Sequence, residues 1–282
     1  MFDNVVNTAD YPLTEPGSPA WQEVVSRTRR ELATTGCTVL PDFILPDRQD
    51  DLRRECAKVA PLAYYEVETV NAYNIALDTE LPPDHPGRTT MERGNAFVAR
   101  DRIPTDAIIH QLYTSPVFQQ FVAACFQLPR LHELADPLSG LVVNVIPPGR
   151  AHPWHFDTNE FTVSMLTQDA ESGGEFQYCP NIRSPESENF DSVRAVLAGK
   201  GEHLVRRLGL RVGDLQLFQG RYALHQVSTV HGGRERHTAI FAYSERPGVI
   251  GSVARTRQLF GRVLPEHLAD RTGAVRVDQR LD

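Results

Sequence analysis

Cysteine is scarce in this chain of 282 residues, and its four copies lie far apart with no CxxC pair among them. They are Cys37, Cys56, Cys125 and Cys179. A chain of this size can bury a hydrophobic core and needs no disulfide staples to stay folded. We therefore expect buried or reduced thiols rather than a disulfide framework.

Long apolar runs and an excess of positive charge are also absent. No run of 18 apolar residues occurs, which predicts no transmembrane helix. The first residues, "MFDNVVNTADYPLTEPGSPAW", have no basic segment followed by an apolar stretch, so they do not resemble a secretory signal, and we expect a cytoplasmic protein. A net charge of -7 argues against binding to nucleic acid or to an anionic membrane and favours a small-molecule partner.

The composition is that of a globular protein with a substantial core, since 41% of the residues are hydrophobic and 23% are charged. All-β folds of this length often form one unit, so we expect a single domain over residues 1–282. Within it we distinguish an N-terminal helical and lid region (1–135), a β core (140–245) and a C-terminal extension (246–282). The extension is expected either to cover the core or to form the contact of a homodimer.

Helix signals dominate the first third of the chain. Ser18 followed by Pro19 is a typical helix start, and Gly36 is a typical stop. A short strand, "CTVLPDFI", follows, and Asp47 is predicted to cap a second helix. Pro116 is predicted to split a third helix into two parts.

Two further segments complete this prediction. The third helix is expected over residues 105–127. Residues 78–95 concentrate Pro, Gly and charge and are predicted to form a long loop, of the kind that often serves as a functional lid.

After residue 140 the pattern changes to short strands separated by turns, with a helical insertion near 188–199. The predicted strands are 140–147, 160–168, 174–179, 214–220, 223–228 and 237–245. Many short strands with turns between them indicate a sandwich or barrel. The predicted fold class is therefore mainly β with helical additions.

The segment "HPWHFDTNEF" contains the first candidate metal ligands. If it is extended, His155 and Asp157 project from the same face of a strand and can reach one metal ion. The strand "ALHQVS" supplies a second imidazole, His225. Two histidines and one carboxylate leave three octahedral positions open, as in non-haem iron(II) sites. The alternative is that HxD is a chance pattern and His225 an ordinary core histidine.

Two arginines follow His225 in "HQVSTVHGGRERHTAIFAY". An arginine on the strand beside the metal can hold a dicarboxylate through two parallel hydrogen bonds. We favour Arg236, which directly precedes the strand, over Arg234, which lies in a turn.

In this order of motifs the sequence resembles the iron(II)- and 2-oxoglutarate-dependent oxygenases, which have a double-stranded β-helix (jelly-roll, cupin-like) fold. The resemblance covers about residues 140–245, including "GGEFQY" and "GDLQLFQGRYALHQVS". It implies iron(II), 2-oxoglutarate and O₂ as cofactor and cosubstrates, with ascorbate as the reductant in vitro. It also implies that Arg236 pairs with the distal carboxylate of 2-oxoglutarate.

A narrower resemblance is to the bacterial subgroup that hydroxylates or halogenates free amino acids, including the lysine halogenases. It extends from the loop holding "HPGR" to about residue 262 and includes "WHFD", "GGEFQYCPNIR" and "AYSERPGV". The halogenases of that subgroup have a small residue in place of the metal-binding carboxylate, which frees a position for chloride. Because this chain keeps Asp157, we expect hydroxylation of an unactivated C–H bond, with release of succinate and CO₂.

Further site residues are predicted with their alternatives. Asn144 and Trp154 are candidates for the cosubstrate wall, although Trp154 fits an ordinary core position equally well. His152 is expected either to bind a polar group of the substrate or to be a simple turn histidine.

The remaining candidates concern the substrate. Arg88 in the long loop suits an amino-acid carboxylate, or is an exposed loop arginine. Thr158 and Glu160 flank the metal motif and are candidates for contacts with substrate amines or hydroxyls. The sequence shows no complete set of lysine-binding residues, so it does not identify the amino acid that serves as substrate.

Three alternatives to hydroxylation of a free amino acid remain. The same cofactors can lead to desaturation or ring closure, and the substrate can be carried on a protein or peptide. A zinc hydrolase or a non-catalytic metal-binding barrel would use the same three ligands, but no HExxH-like motif supplies a general base.

Overall fold

The first helix begins and ends where its sequence signals predict. The fold is described by a computed structural model for residues 4–77, 79–159 and 161–269. Helix α1 (Pro19–Thr35) starts after Ser18, whose hydroxyl accepts the N–H of Trp21 at 3.2 Å. It ends at Gly36, which adopts the left-handed conformation at φ 69°.

The second helix corrects one prediction. Pro46–Arg48 forms a 3₁₀ turn, and helix α2 (Gln49–Val59) follows it directly. Asp47 therefore lies inside the 3₁₀ turn and does not cap α2. The turn begins at Pro46, one residue before the position at which the sequence predicted the helix cap.

The third predicted helix is split at Pro116, as expected. Its parts are α3 (Ile108–Tyr113) and α4 (Pro116–Cys125), and Ser115 caps the second part through the N–H of Phe118. The three remaining helices of the described ranges are α5 (Phe190–Leu197), α6 (Val253–Phe260) and α7 (Pro265–Leu268).

The larger of two main sheets has six antiparallel strands. In spatial order they are β1 (Cys37–Leu40), β12 (Leu215–Phe218), β8 (Thr162–Gln168), β15 (Arg236–Phe241), β6 (Leu141–Ile146) and β4 (Ala96–Val98). One face of this sheet carries Leu40, Val143, Met165 and Phe241 and packs against helices α1 to α4 in the largest apolar cluster. The helices of the first third therefore cover one side of the sheet.

The smaller sheet has four antiparallel strands. In spatial order they are β11 (Arg206–Leu208), β10 (Phe176–Cys179), β13 (Leu224–Val227) and β7 (His152–His155). Apolar contacts join it to the uncovered face of the larger sheet, for example Tyr178 with Phe218, and Val227 with Ile146. The two sheets face each other without closing into a barrel, and this jelly-roll architecture confirms the predicted fold class.

Short strand pairs surround this core. They are β14 (Val230–His231) with β9 (Ser172–Gly173), β16 (Tyr243–Ser244) with β5 (His132–Glu133), and β2 (Glu68–Asn71) with β3 (Thr90–Arg93). The last pair corrects the prediction of a continuous loop over 78–95, because Thr90–Arg93 pairs with Glu68–Asn71 as a strand. The region 1–135 supplies the predicted strand β1 and, in addition, the strand β4 to the larger sheet.

Two other expectations can be compared with the structure. All four cysteines are buried and free. No helix within the described ranges is both long and apolar enough to cross a membrane. The single-domain prediction and its subdivision stay predictions.

Candidate metal centre

Two adjacent strands of the smaller sheet bring the two candidate imidazoles together. His155 at the end of β7 is the direct register partner of His225 in β13, so their side chains project from neighbouring backbones. The ring centroids are 4.1 Å apart, and both residues are buried. The structure therefore brings together two histidines that the sequence analysis paired from distant motifs.

Backbone carbonyls orient both rings. Nδ1 of His155 lies 2.8 Å from the carbonyl oxygen of Pro153, and Nδ1 of His225 lies 2.9 Å from that of Ala223. A carbonyl oxygen only accepts hydrogen bonds, so each Nδ1 carries the proton and each Nε2 keeps its lone pair. Both imidazoles are thus held in the tautomer that binds a metal through Nε2.

Asp157 lies two residues beyond the end of β7, and its carboxylate completes the group. Oδ1 lies 3.7 Å from Nε2 of His155 and 3.4 Å from Nε2 of His225. The other oxygen, Oδ2, accepts the hydroxyl of Thr162 in β8 at 2.5 Å. Thr162 therefore leaves Oδ1 as the oxygen that faces the two histidines.

The spacing of the three ligand atoms fits one metal ion. They all lie within 4.8 Å of one another, and ligands about 2.1 Å from an octahedral metal are separated by about 3 Å along each edge. A facial set of two nitrogens and one oxygen with the remaining positions open matches the non-haem iron(II) site that the sequence predicts.

The electrostatics keep the ligand atoms free of protons. Burial and the neighbouring His225 lower the pKa of His155 to about 3, so its imidazole is neutral at pH 7. Burial alone would raise the pKa of Asp157, but His225, His155 and the Thr162 hydroxyl outweigh it and lower the pKa. A charged Asp157 carboxylate beside the neutral imidazole of His155 is a protonation state that binds a divalent cation.

Arg236 lies at the start of β15 and is 4% exposed. Its Nη1 donates to the hydroxyl of Thr238, and no carboxylate lies within ion-pair distance among the residues that are described. Burial lowers the pKa of Arg236 to about 10, so it stays charged at neutral pH. A buried guanidinium without a counterion is suited to an anionic ligand.

The two alternatives for the cosubstrate arginine differ in their surroundings. Arg234 is exposed, donates to the carbonyl of Asp169 and pairs with its carboxylate at 3.4 Å. Arg236 also borders a cavity of about 200 Å³ whose wall includes Leu166 and Phe176. The geometry supports Arg236, and its role as the cosubstrate ligand stays a prediction.

Asn144 and Trp154 lie in different surroundings. Asn144 is buried, and it pairs in register with Thr238, the residue that binds Arg236. Its Oδ1 accepts Nδ2 of Asn95 at 2.8 Å. Trp154 packs against the apolar cluster that includes Phe156, as the core alternative expects. The contacts of Asn144 and Trp154 with the cosubstrate stay predictions.

The substrate candidates spread over a wider area. His152 stacks on His155 with centroids 3.9 Å apart, so it lies beside the metal ligands. Thr158 is exposed, and its carbonyl lies 3.4 Å from Nη1 of Arg221. Arg88 is exposed on the 3₁₀ turn Pro86–Arg88 and donates to the carbonyl of Leu81. Glu160 lies outside the described residues, and all four substrate roles stay predictions.

The sequence did not identify several residues that lie near the site. Thr162 and Gly220 contact Asp157, while Glu68 and Arg255 line a neighbouring cavity between β2 and α6. The only available signal was the glycine in "LFQGRYALHQV", which precedes the distal histidine. An isolated glycine in a strand pattern can indicate a close approach of another group.

Several solved structures have a similar fold. AviO1 from Streptomyces viridochromogenes Tue57 has a TM-score of 0.53 at 15% identity, over 79% of this chain and 96% of that one. The epimerase SnoN in complex with Fe³⁺, alpha ketoglutarate and nogalamycin RO has a TM-score of 0.53 at 13% identity, over 78% and 83%. A prolyl hydroxylase from Trichoplax adhaerens has a TM-score of 0.51 at 15% identity, over 81% and 94%. Similarity at this level of identity shows the fold alone.

Sequence comparison gives the family. No curated protein matches this chain. Residues 20–255 match the family model described as Halogenase D, and this span is well over half of the chain. The match confirms the superfamily resemblance that the motifs indicate, and it includes all three candidate metal ligands and Arg236. The chain belongs to the halogenase D family.

Proposed function

We propose that this protein is an iron(II)- and 2-oxoglutarate-dependent dioxygenase that hydroxylates an unactivated C–H bond of a free amino acid or amino-acid-like metabolite. The observation that carries the proposal is the convergence of His155, Asp157 and His225, whose ligand atoms lie within 4.8 Å of one another. The family match supports the same chemistry.

The residues of the chain have distinct proposed tasks. His155 and His225 would hold iron through Nε2, because each Nδ1 is directed at a backbone carbonyl. Asp157 would bind through Oδ1. Arg236 would pair with the distal carboxylate of 2-oxoglutarate. The bound iron, together with 2-oxoglutarate and O₂, would supply the oxidant that removes a hydrogen atom from the substrate.

Asp157 favours hydroxylation over halogenation. His155, Asp157 and His225 would fill three of the six octahedral positions of iron(II), and the other three would be open to 2-oxoglutarate and O₂. Chloride would need a further position, which the Asp157 carboxylate fills. The half-buried setting of this carboxylate and its hydrogen bond from Thr162 support a fixed ligand.

An anaerobic titration tests the cofactor assignment. Iron(II) and 2-oxoglutarate are added together without O₂, and a weak metal-to-ligand charge-transfer band is expected in the visible. The band should be lost in His225→Ala, which removes one ligand. Absence of the band in the wild-type protein would reject the oxygenase proposal.

A product assay tests the reaction type. The protein is incubated with iron(II), 2-oxoglutarate, ascorbate, O₂, excess chloride and a panel of amino acids, and masses are recorded. We expect gain of one oxygen and equimolar succinate. Incorporation of chlorine would contradict the role given to Asp157, and loss of two hydrogens would indicate desaturation or ring closure.

A further inference from the structure

Arg183 is a charged residue buried beside the metal centre, and none of the roles assigned so far involves it. Only 1% of the residue is exposed. It follows β10, the strand that pairs with β13, which carries His225. Burying a guanidinium costs free energy, and specific contacts must offset this cost. The partners of Arg183 therefore indicate what it does.

The guanidinium of Arg183 lies on the ring of Phe156. Its Cζ atom is 3.8 Å from the ring centroid, which is a close cation–π contact. Phe156 stands between His155 and Asp157 in the chain, and it packs in an apolar cluster while its two neighbours face each other. Successive side chains of an extended segment point to opposite sides. Arg183 therefore supports the metal-binding segment from the side that faces away from the metal.

The same guanidinium also holds a second segment of the site. Nε of Arg183 donates to the carbonyl of Arg221 at 2.6 Å. Arg221 directly follows Gly220, whose carbonyl accepts the N–H of Asp157 at 3.1 Å. This loop then leads into β13 and the third ligand. Arg183 thus connects the two chain segments that carry the metal ligands.

Glu188 holds the guanidinium in place. Its Oε2 lies 3.2 Å from Nη1 of Arg183, and the side chain of Glu188 is 12% exposed. The attraction within a buried ion pair largely offsets the cost of its desolvation, so such a pair contributes little to stability. The carboxylate also neutralises a positive charge that would otherwise repel a cation at the metal centre. The pair therefore fixes Arg183 with little effect on the charge of the site.

We propose that Arg183 is a positioning residue for the metal centre. It joins the segment of Phe156 to the loop after Gly220, and the relative position of these two segments sets the distances between the metal ligands. Arg183 acts through the ring of Phe156 and the backbone of Arg221. This inference rests on the proposed function, because it concerns the same three ligands.

The sign of the effect separates positioning from charge. Removal of a positive charge near a metal site strengthens the binding of a divalent cation if only the electrostatics change. Loss of positioning instead weakens this binding, by about tenfold or more where the supports of metal ligands are changed. A fall in metal affinity after the loss of Arg183 is therefore opposite to the effect of its charge.

Titration of the metal-free protein with Co²⁺ tests the proposal without turnover. Besides the affinity, the visible absorption bands of bound Co²⁺ report its coordination geometry. The variants are Arg183→Met, Arg183→Met/Glu188→Gln, which removes both charges of the pair, and Phe156→Leu, which removes the ring and keeps the pair. The matched control is Arg194→Met, because Arg194 of α5 also forms an ion pair but has a side chain that is 41% exposed. Urea denaturation of each metal-free variant shows whether it is folded.

Arg183→Met and Phe156→Leu should bind Co²⁺ about tenfold or more weakly than the wild type. Their absorption bands at saturation should also differ from those of the wild type. The double variant should show the same loss, and it provides the comparison if Arg183→Met alone does not fold. Arg194→Met should stay within about twofold of the wild-type affinity, with unchanged bands.

Three results would overturn the proposal. They are wild-type or higher affinity in a folded Arg183 variant, wild-type affinity and bands in Phe156→Leu, and an equal loss of affinity in Arg194→Met. If neither Arg183 variant folds, Phe156→Leu decides. A wild-type protein that binds no Co²⁺ would instead reject the metal centre itself, and with it the proposed function.

Discussion

The carboxylate of Asp157 lies directly against the backbone of Gly220. A Cβ atom at position 220 would lie 2.5 Å from Cγ and 2.8 Å from Cβ of Asp157, well inside van der Waals contact. The N–H of Asp157 also donates to the carbonyl of Gly220 at 3.1 Å. The loop before β13 therefore makes room for the ligand and fixes its backbone.

Substitution Gly220→Ala should displace this carboxylate. We expect the affinity for Mn²⁺ or Fe²⁺ to fall by about tenfold or more, in the range seen when the supports of metal ligands are changed. Equilibrium metal titration measures the change. The matched control is Gly209→Ala, since a Cβ atom at Gly209 meets nothing within 4 Å. Equal metal affinity in the two variants would show that the carboxylate tolerates the contact.

Thr162 is expected to orient the same ligand from the larger sheet. Thr162→Val keeps the shape of the side chain but removes the hydroxyl that donates to Oδ2 of Asp157. We expect metal affinity to fall by about tenfold, with Thr162→Ser close to the wild type. If Thr162→Val binds metal as tightly as Thr162→Ser, the hydroxyl does not position Asp157.

Arg236→Lys tests the cosubstrate site. Lysine keeps the positive charge but cannot form two parallel hydrogen bonds with one carboxylate, so the KM for 2-oxoglutarate should rise by about 30-fold or more. Steady-state succinate formation measures it. Arg234→Lys should stay within about twofold, because Arg234 lies in an exposed ion pair with Asp169. The opposite ranking would assign the site to Arg234.

The sequence was sufficient to select three candidate metal ligands that the structure places close together. His155 and Asp157 stand two positions apart, and His225 lies in a strand pattern that is otherwise apolar, so each polar residue is conspicuous against its neighbours. The strands of the core were also predictable from local features of the sequence. Alternation and turn residues are local features, and the register that joins β7 to β13 follows from the fold that they specify.

The residues around the cavity between β2 and α6 were not predictable in this way. Glu68 belongs to β2, whose partner β3 lies where the density of proline and charge predicted a loop, and Arg255 comes from a helix more than 150 residues later. Local patterns do not show which distant segments close over a site. Arg88 was favoured because its loop was expected to cover the substrate, whereas the structure places it on an exposed 3₁₀ turn.

Asp136 links the core to helix α6, and its loss should destabilise the protein. Its side chain is fully buried and accepts the N–H groups of Leu138, Ser139 and Gly251 at 2.8, 2.8 and 2.9 Å. Gly251 stands just before the cap of α6. Asp136→Asn should lower the free energy of unfolding at pH 7 by about 1–3 kcal/mol, measured by urea denaturation. Asp191→Asn, at an exposed ion pair, should change it by about 0.5 kcal/mol or less.

The pH dependence of this effect has a definite sign. Burial would raise the pKa of Asp136, but hydrogen bonds from Ser139, Gly251 and Leu138 outweigh it and lower the pKa below the ordinary 3.8. A carboxyl group with a lowered pKa contributes its stability above pH 3.8 and loses it as the pH falls through the folded-state pKa. The stability difference between the wild type and Asp136→Asn should therefore be constant above about pH 5 and shrink below pH 3.8. A difference that grows on acidification would mean that Asp136 is protonated in the folded protein, and the anchoring of α6 would then need another explanation.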